Sequence, residues 1–131
     1  MRQLESLRQH LLDRVPGLDR DPDRLLTFIQ DGQIVFHRGE TLSHEYRAPA
    51  RLVLTDYGGE MDAVIIPLLQ WLSRHAPELD PEEAVRFEAE ILANDRIDLA
   101  IDIQLTERVI ATVDCAAGRI DVEHLLPDHP I

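Results

Sequence analysis

The sequence predicts an α+β domain: a mainly antiparallel sheet of five to six strands with two helices packed on one face. Apolar residues recur at helical spacing in two stretches, while the stretches between and after them alternate apolar with polar residues. Short turn signals, not long crossovers, separate the alternating stretches, which favours antiparallel neighbours.

Leu4, Leu7, Leu11, Leu12 and Val15 recur at helical spacing, so residues 2–15 read as an amphipathic helix that Pro16 and Gly17 end. The polar segment Leu18 to Asp23 is a connector to the first strand. Leu25 to Gln30 and Gln33 to His37 read as two strands of a hairpin, because Asp31-Gly32 is a pair suited to a two-residue turn with positive φ. After Gly39 comes a long strand with Tyr46, Ala48, Ala50, Leu52 and Leu54 on one face and Arg47, Arg51 and Thr55 on the other. Proline cannot donate to a ladder, so Pro49 suggests a sheet edge or a bulge there rather than a central strand.

Asp56-Tyr57-Gly58-Gly59 reads as a turn, and Met61 to Arg74 as the second helix. It is apolar around most of its circumference, so it must be covered on more than one side, by the sheet and by either the first helix or a neighbouring subunit. Pro67 either kinks this helix or marks N1 of a helix that starts late. A final hairpin pairs Val85 to Ile91 with Ile97 to Leu105 around Asn94-Asp95-Arg96, and one of its faces is expected to be buried. Val109 to Val113 continues it or forms another strand, Gly118 to Val122 adds a short one, and Leu126 to Ile131 is expected to be a loose tail.

At 131 residues and 44% hydrophobic content, the chain suits one domain with a single core. Its lone cysteine, Cys115, has no partner within the chain, so a reducing compartment is expected. The N-terminus lacks the apolar stretch of a signal peptide, and no run is long enough to span a bilayer, so the protein is expected to be soluble. A net charge of −12 argues against a basic footprint for nucleic acid or anionic membrane. All the cations are arginines, the side chain suited to bidentate contacts with carboxylates.

Asp19, Asp21 and Asp23 have the spacing that opens an EF-hand loop, but Arg24 stands where its glycine belongs and Gln30 where its bidentate glutamate belongs. Glu88, Glu90, Asp98 and Asp102 project from the polar face of the final hairpin, as a wet face, a partner interface or the carboxylates of a small metal-dependent enzyme. His10, His37, His44, His75, His124 and His129 are dispersed, without the close helical pairs that bind zinc. No nucleophile elbow or phosphate-binding loop is present. The sequence therefore nominates no catalytic residue, metal ligand or cofactor.

The order of short motifs is more informative. Leu4-Glu5-Ser6-Leu7-Arg8 with His10-Leu11-Leu12, Pro22-Asp23-Arg24-Leu25-Leu26, Glu45-Tyr46-Arg47, Thr55-Asp56-Tyr57 and Pro67-Leu68-Leu69 with Trp71 come first. Pro77-Glu78-Leu79, Arg86-Phe87-Glu88, Asp98-Leu99 and Gln104-Leu105-Thr106-Glu107-Arg108-Val109 follow. In this order and spacing they resemble the tail completion protein R family of contractile-tailed bacteriophages, from about Met1 to Val109. Beyond Ala111 no firm pattern continues, so residues 111–131 are expected to be a variable or loosely ordered part of a single 1–131 domain.

The resemblance implies a non-enzymatic structural protein of the virion tail, assembled in the bacterial host cytoplasm. It would act at the head-proximal end with a second completion protein, bind tail tube or neck proteins, and form a homo-oligomer, with a sixfold ring expected. A tail terminator or head–tail connector ring is the neighbouring alternative. No membrane contact and no sequence-specific nucleic-acid contact are expected, and acidity summed around a ring would limit sticking of DNA. The interface candidates are Trp71, as core or as interface anchor, and Glu45, Tyr46, Glu107 and Arg108, as partner contacts or as salt bridges within the subunit. On this reading Glu107→Arg should leave a folded protein that no longer completes tails.

Overall fold

A computed structural model describes residues 1–36, 38, 42–93 and 95–126. Helix α1 spans Arg2–Arg14, and two single 3-10 turns at Leu18–Arg20 and Pro22–Arg24 lead into the sheet. Strands β1 (Leu25–Ile29), β2 (Gln33–Phe36) and β3 (His44–Tyr57) precede helix α2 (Asp62–His75); β4 (Val85–Ile91), β5 (Ile97–Asp114) and β6 (Arg119–Leu125) follow it. All pairings are antiparallel.

The long strands β3 and β5 pair with each other through the middle of the sheet. Each then has two shorter neighbours placed end to end on its outer side: β1 and β2 along β3, β4 and β6 along β5. Both helices cover the face carrying Ala50, Leu52, Leu54, Leu99, Ile101, Ile103 and Leu105, all buried. Leu4, Leu7 and Leu11 of α1 and Val64, Leu68, Trp71 and Leu72 of α2 complete this core. Helix α2 gains its second cover from α1: the indole N–H of Trp71 donates to Ser6 Oγ at 3.1 Å, and His10 Nε2 donates to the Pro67 carbonyl at 2.9 Å. Pro67 lies inside α2, five residues past its start, so of the two sequence readings the interior position holds.

The Asp31-Gly32 hairpin is not formed. β1 and β2 do not pair with each other; both pair with β3, as two halves of one interrupted outer strand. A two-residue hairpin turn of that sequence requires positive φ, and neither Asp31 nor Gly32 has it. Gly32 serves a close approach instead, since a Cβ there would lie 3.3 Å from both Ala48 Cβ and the Arg47 carbonyl oxygen. The interruption faces Pro49. That residue accepts from Gln30 N–H at 2.9 Å but has no N–H to return, so the ladder breaks on that side. Pro49 thus sits in a central strand, contrary to the edge expected from sequence, and the irregularity falls on its neighbour.

The segment taken for a turn at Asp56 and Tyr57 is the end of β3, with a bulge between the Leu54–Leu99 and Tyr57–Ile97 pairs. Asp56 has φ +50° and gives its N–H to Asp98 Oδ1 at 2.9 Å. The extra residue rotates Tyr57 onto the core side, where it is buried and its hydroxyl donates to the Glu60 carbonyl at 2.7 Å.

The face of β4 expected to be buried packs against the core at Val85 and is open beyond it. Register puts Phe87 opposite Ile101 and Ile91 opposite Ile97, on the core side, yet Phe87 is 56% and Ile91 83% exposed, because the helices stop short of this outer strand. β6 extends the C-terminal half of β5 as a two-stranded arm, longer than the Gly118–Val122 strand foreseen. Of the expected turns and tail, His37, Asn94 and Pro127 to Ile131 lie outside the described residues. Among the described residues no helix is long and apolar enough to cross a membrane.

Trp71 is 1% exposed and joins both helices to the sheet. Trp71→Ala should lower the unfolding free energy by about 3–5 kcal/mol. Urea denaturation followed by circular dichroism measures this, and a loss below about 1 kcal/mol would contradict a central packing role.

Candidate interaction site

Because β4 pairs with Ile97–Ile103 and β6 with Arg108–Asp114, the residues 104–107 of β5 have a strand neighbour on the β3 side only. This gap in the sheet edge is where most of the sequence-nominated residues meet. Glu107 is 1% exposed beneath the first turn of α1. Its Oε1 accepts the Gln3 backbone N–H at 2.7 Å, one of the helix-start amides that have no partner within the helix. Its Oε2 accepts from His124 Nδ1, on β6, at 2.8 Å. One carboxylate therefore ties α1, β5 and β6 together.

On the other face of the same strands, Glu45 accepts from Arg47 Nε at 2.6 Å and from Arg108 Nε at 3.1 Å. The Arg47 hydrogen bond holds the Glu45 carboxyl below its ordinary value; partial burial opposes this, and Arg108 adds to the lowering. The two arginine side chains remain 57% and 72% exposed. Gln3, Glu45, Arg47, Glu78, Thr106 and Arg108 are among the residues lining a cavity of about 460 Å³ at the gap.

The structure thus pairs Glu45 with Arg108 on one face and places Glu107 on the opposite face of the same strands. Tyr46 is paired across the ladder with Glu107, half-buried, with its ring edge-on to His44 at 5.0 Å. Trp71 is elsewhere, enclosed in the core, so of its two readings the core is where it sits. Burial also changes what Glu107→Arg would do: a guanidinium would face helix amides in place of their acceptor, and the fold would suffer along with any contact. Gln3, Arg47 and His124 were not singled out. Gln3 had a signal, being polar yet four residues before Leu7 on the apolar stripe of α1. His124 had none, since its partner lies 17 positions away on another strand.

Two of the four hairpin carboxylates have local partners. Asp102 takes both Nε and Nη2 of Arg51, at 2.9 and 3.0 Å, and Asp98 accepts the Asp56 N–H. Among the described residues no three His, Cys, Asp or Glu side chains are grouped to hold a metal ion.

The model of the family P2 phage tail completion protein R (GpR) matches residues 1–129. This chain belongs to that family. Tail completion protein R of Escherichia phage P2 is 31% identical over 133 aligned residues, covering 97% of this chain and 86% of that protein. No solved structure matches. The match runs past Ala111, where the resemblance seen in the sequence stopped, and takes in the β5–β6 arm. Membership makes this GpR-family chain a structural protein of phage tail completion and a component of the virion tail.

Two groups tie its stability to pH on the acid side. A carboxyl with a lowered folded value stabilises the fold above its unfolded value and loses that contribution as pH falls through the folded one; for Glu45 this loss begins near 4.5. Burial lowers His10 from 6.5, with Arg14 and His75 adding to it, against the raising effects of the Pro67 hydrogen bond and Asp13. A lowered histidine likewise costs stability on acidification, beginning at its higher ordinary value. Urea midpoints should therefore fall first below pH 6.5 and further below pH 4.5. Glu45→Gln should flatten the second decline and leave the first; an unaltered acid limb would contradict the role given to Glu45.

Proposed function

We propose that this protein finishes the head-proximal end of the phage tail, together with a second completion protein, so that the filled head can be joined. It does so by binding, without catalysis, as a homo-oligomeric ring that contacts tail tube or neck proteins and assembles in the host cytoplasm. The observation that carries this reading is family membership across residues 1–129. What favours a ring is the presence of two apolar surfaces on one small subunit. The first comprises Ile66 and Leu69 of α2 with Phe87 and Ile91 of β4. The second comprises Ile34 and Phe36 of β2 with Ile120 and Val122 of β6. By register they lie near opposite ends of β5, roughly 40 Å apart at about 3.3 Å per residue. Distinct patches that pair head to tail produce closed rings when the rotation closes, whereas a single self-complementary patch gives a two-fold dimer. An isolated two-stranded arm is marginal in water, which gives β6 a reason to seek a partner.

The test is a phage whose copy of this chain is deleted. Tails with unfinished ends and unjoined filled heads, restored by supplying the chain in trans, are expected by electron microscopy. Normal joined particles from the deletion would overturn the assignment. A monomer in light scattering at micromolar concentration, with no ring on tail ends, would overturn the ring.

A further inference from the structure

The two outer edges of the sheet beneath the helices match each other. β1 pairs only with β3 and β4 only with β5, so neither has a strand on its outer side among the described residues. They stand in the same rows: Leu25, Leu54, Leu99 and Ala89 form one row across the four strands, and Ile29, Ala50, Ile103 and Val85 another. Four antiparallel strands alternate in direction, so β1 and β4 run opposite ways. Backbone polarity agrees as well. The Gln30 N–H donates inward to the Pro49 carbonyl, so by the alternation of an antiparallel ladder the N–H and C=O groups of Thr27 and Ile29 point outward. The Leu25 carbonyl, facing the same way, is taken by Arg8 Nη1 at 2.7 Å. On the far edge the Leu92 N–H donates to the Arg96 carbonyl, and the same alternation turns the backbone groups of Val85, Phe87 and Ala89 outward. The outward residues of both edges therefore fall in the same rows.

Charge distinguishes which edges can meet. Edge strands are ordinarily guarded by charged side chains, proline or a bulge. β1 has no charge and no proline, and Leu26, Phe28 and Ile29 are exposed on it. β4 carries Arg86, Glu88 and Glu90. A two-fold pairing of β4 with itself about its middle residue sets Glu88 against its own copy, whereas β1 opposes no charge to it. Pairing of β1 with itself leaves β4 and the exposed Phe87 bare.

We propose that β4 of one copy adds to β1 of a second copy as an antiparallel strand, head to tail, with Phe87 beside Thr27 and Val85 beside Ile29. Because the two edges are level, repeating the step by rotation about an axis along the strands keeps the copies level, as a closed ring requires. Leu69 of α2, which lines a groove with Val85, lies at the same seam. This interface deepens the ring reading and rests on it.

The test is disulfide trapping in a Cys115→Ser background, which removes the exposed native thiol. Thr27→Cys and Phe87→Cys are made singly and together, oxidised, and run on denaturing gels without reductant. Within one copy the two positions are three strand spacings apart, about 14 Å, too far for a disulfide, so every link joins two copies. A ladder of covalent multimers from the double variant, a dimer from an equal mixture of the single variants, and no link in either single variant alone are expected. Should the double variant unfold, the mixture decides. Dimers from either single variant alone mean that like edges meet, and overturn the head-to-tail pairing. Ile29→Lys should weaken self-association about tenfold or more, and undiminished association would count against the β1 edge. Light scattering of the parent chain separates the two failures: an oligomer whose edges do not cross-link overturns this interface and leaves the ring standing, whereas a monomer overturns both.

Discussion

A carboxylate enclosed at the start of a helix holds this protein's most consequential corner in place. Glu107 sits where α1 begins, where β5 loses its outer neighbour and where β6 begins to pair, and both its oxygens are in use. Helix starts present amides that no intrahelical carbonyl can satisfy, and an anion placed there meets both the hydrogen-bonding need and the dipole. The N-terminal residue of α1 offers no side-chain cap of its own, so the acceptor comes from a strand 104 positions away. Without it the first turn of the helix would lose its polar tie to β5 and β6, and Gln3 would lose its position.

Around that corner the sheet is organised by length. β3 and β5 are each long enough to accept two short partners in tandem, so the outer strands are interrupted on both sides. On the β3 side the cause is local and chemical: Pro49 has no donor and Gly32 approaches closely. On the β5 side the interruption is wider and leaves the pocket. The same economy of cover leaves Phe87, Ile91, Ile120 and Val122 exposed, because two helices of 13 and 14 residues cannot roof a sheet whose longest strand has 18. A tail-completion protein works among neighbours, and uncovered apolar surface is what neighbours bury.

Much of this was legible in the sequence. Helical spacing located α1 and α2 to within about a residue at either end, and period-2 alternation placed both faces of β3 and β5, because each pattern reports burial on a single element. What escaped depends on which elements lie side by side. Asp31-Gly32 has turn chemistry, yet register with β3 overrode it. Val85 to Ile91 alternates as a half-buried strand does, but alternation tells which face is apolar, not whether anything covers it. Among the candidate residues, motif order led to Glu45 and Arg108, which the fold pairs, and to Glu107 on the opposite face of the same strands; it gave no sign that Glu107 is buried, nor that Gln3 and His124 bond to it or that Arg47 joins Glu45.

The central physical claim is that the Glu107 side chain fastens the start of α1 to β5 and β6. Hydrogen–deuterium exchange followed by mass spectrometry, on the chain and on its Glu107→Ala variant, reads that tie directly. Faster exchange in the variant is expected for peptides covering residues 1–5 and 119–125. Unchanged exchange in both segments would contradict it.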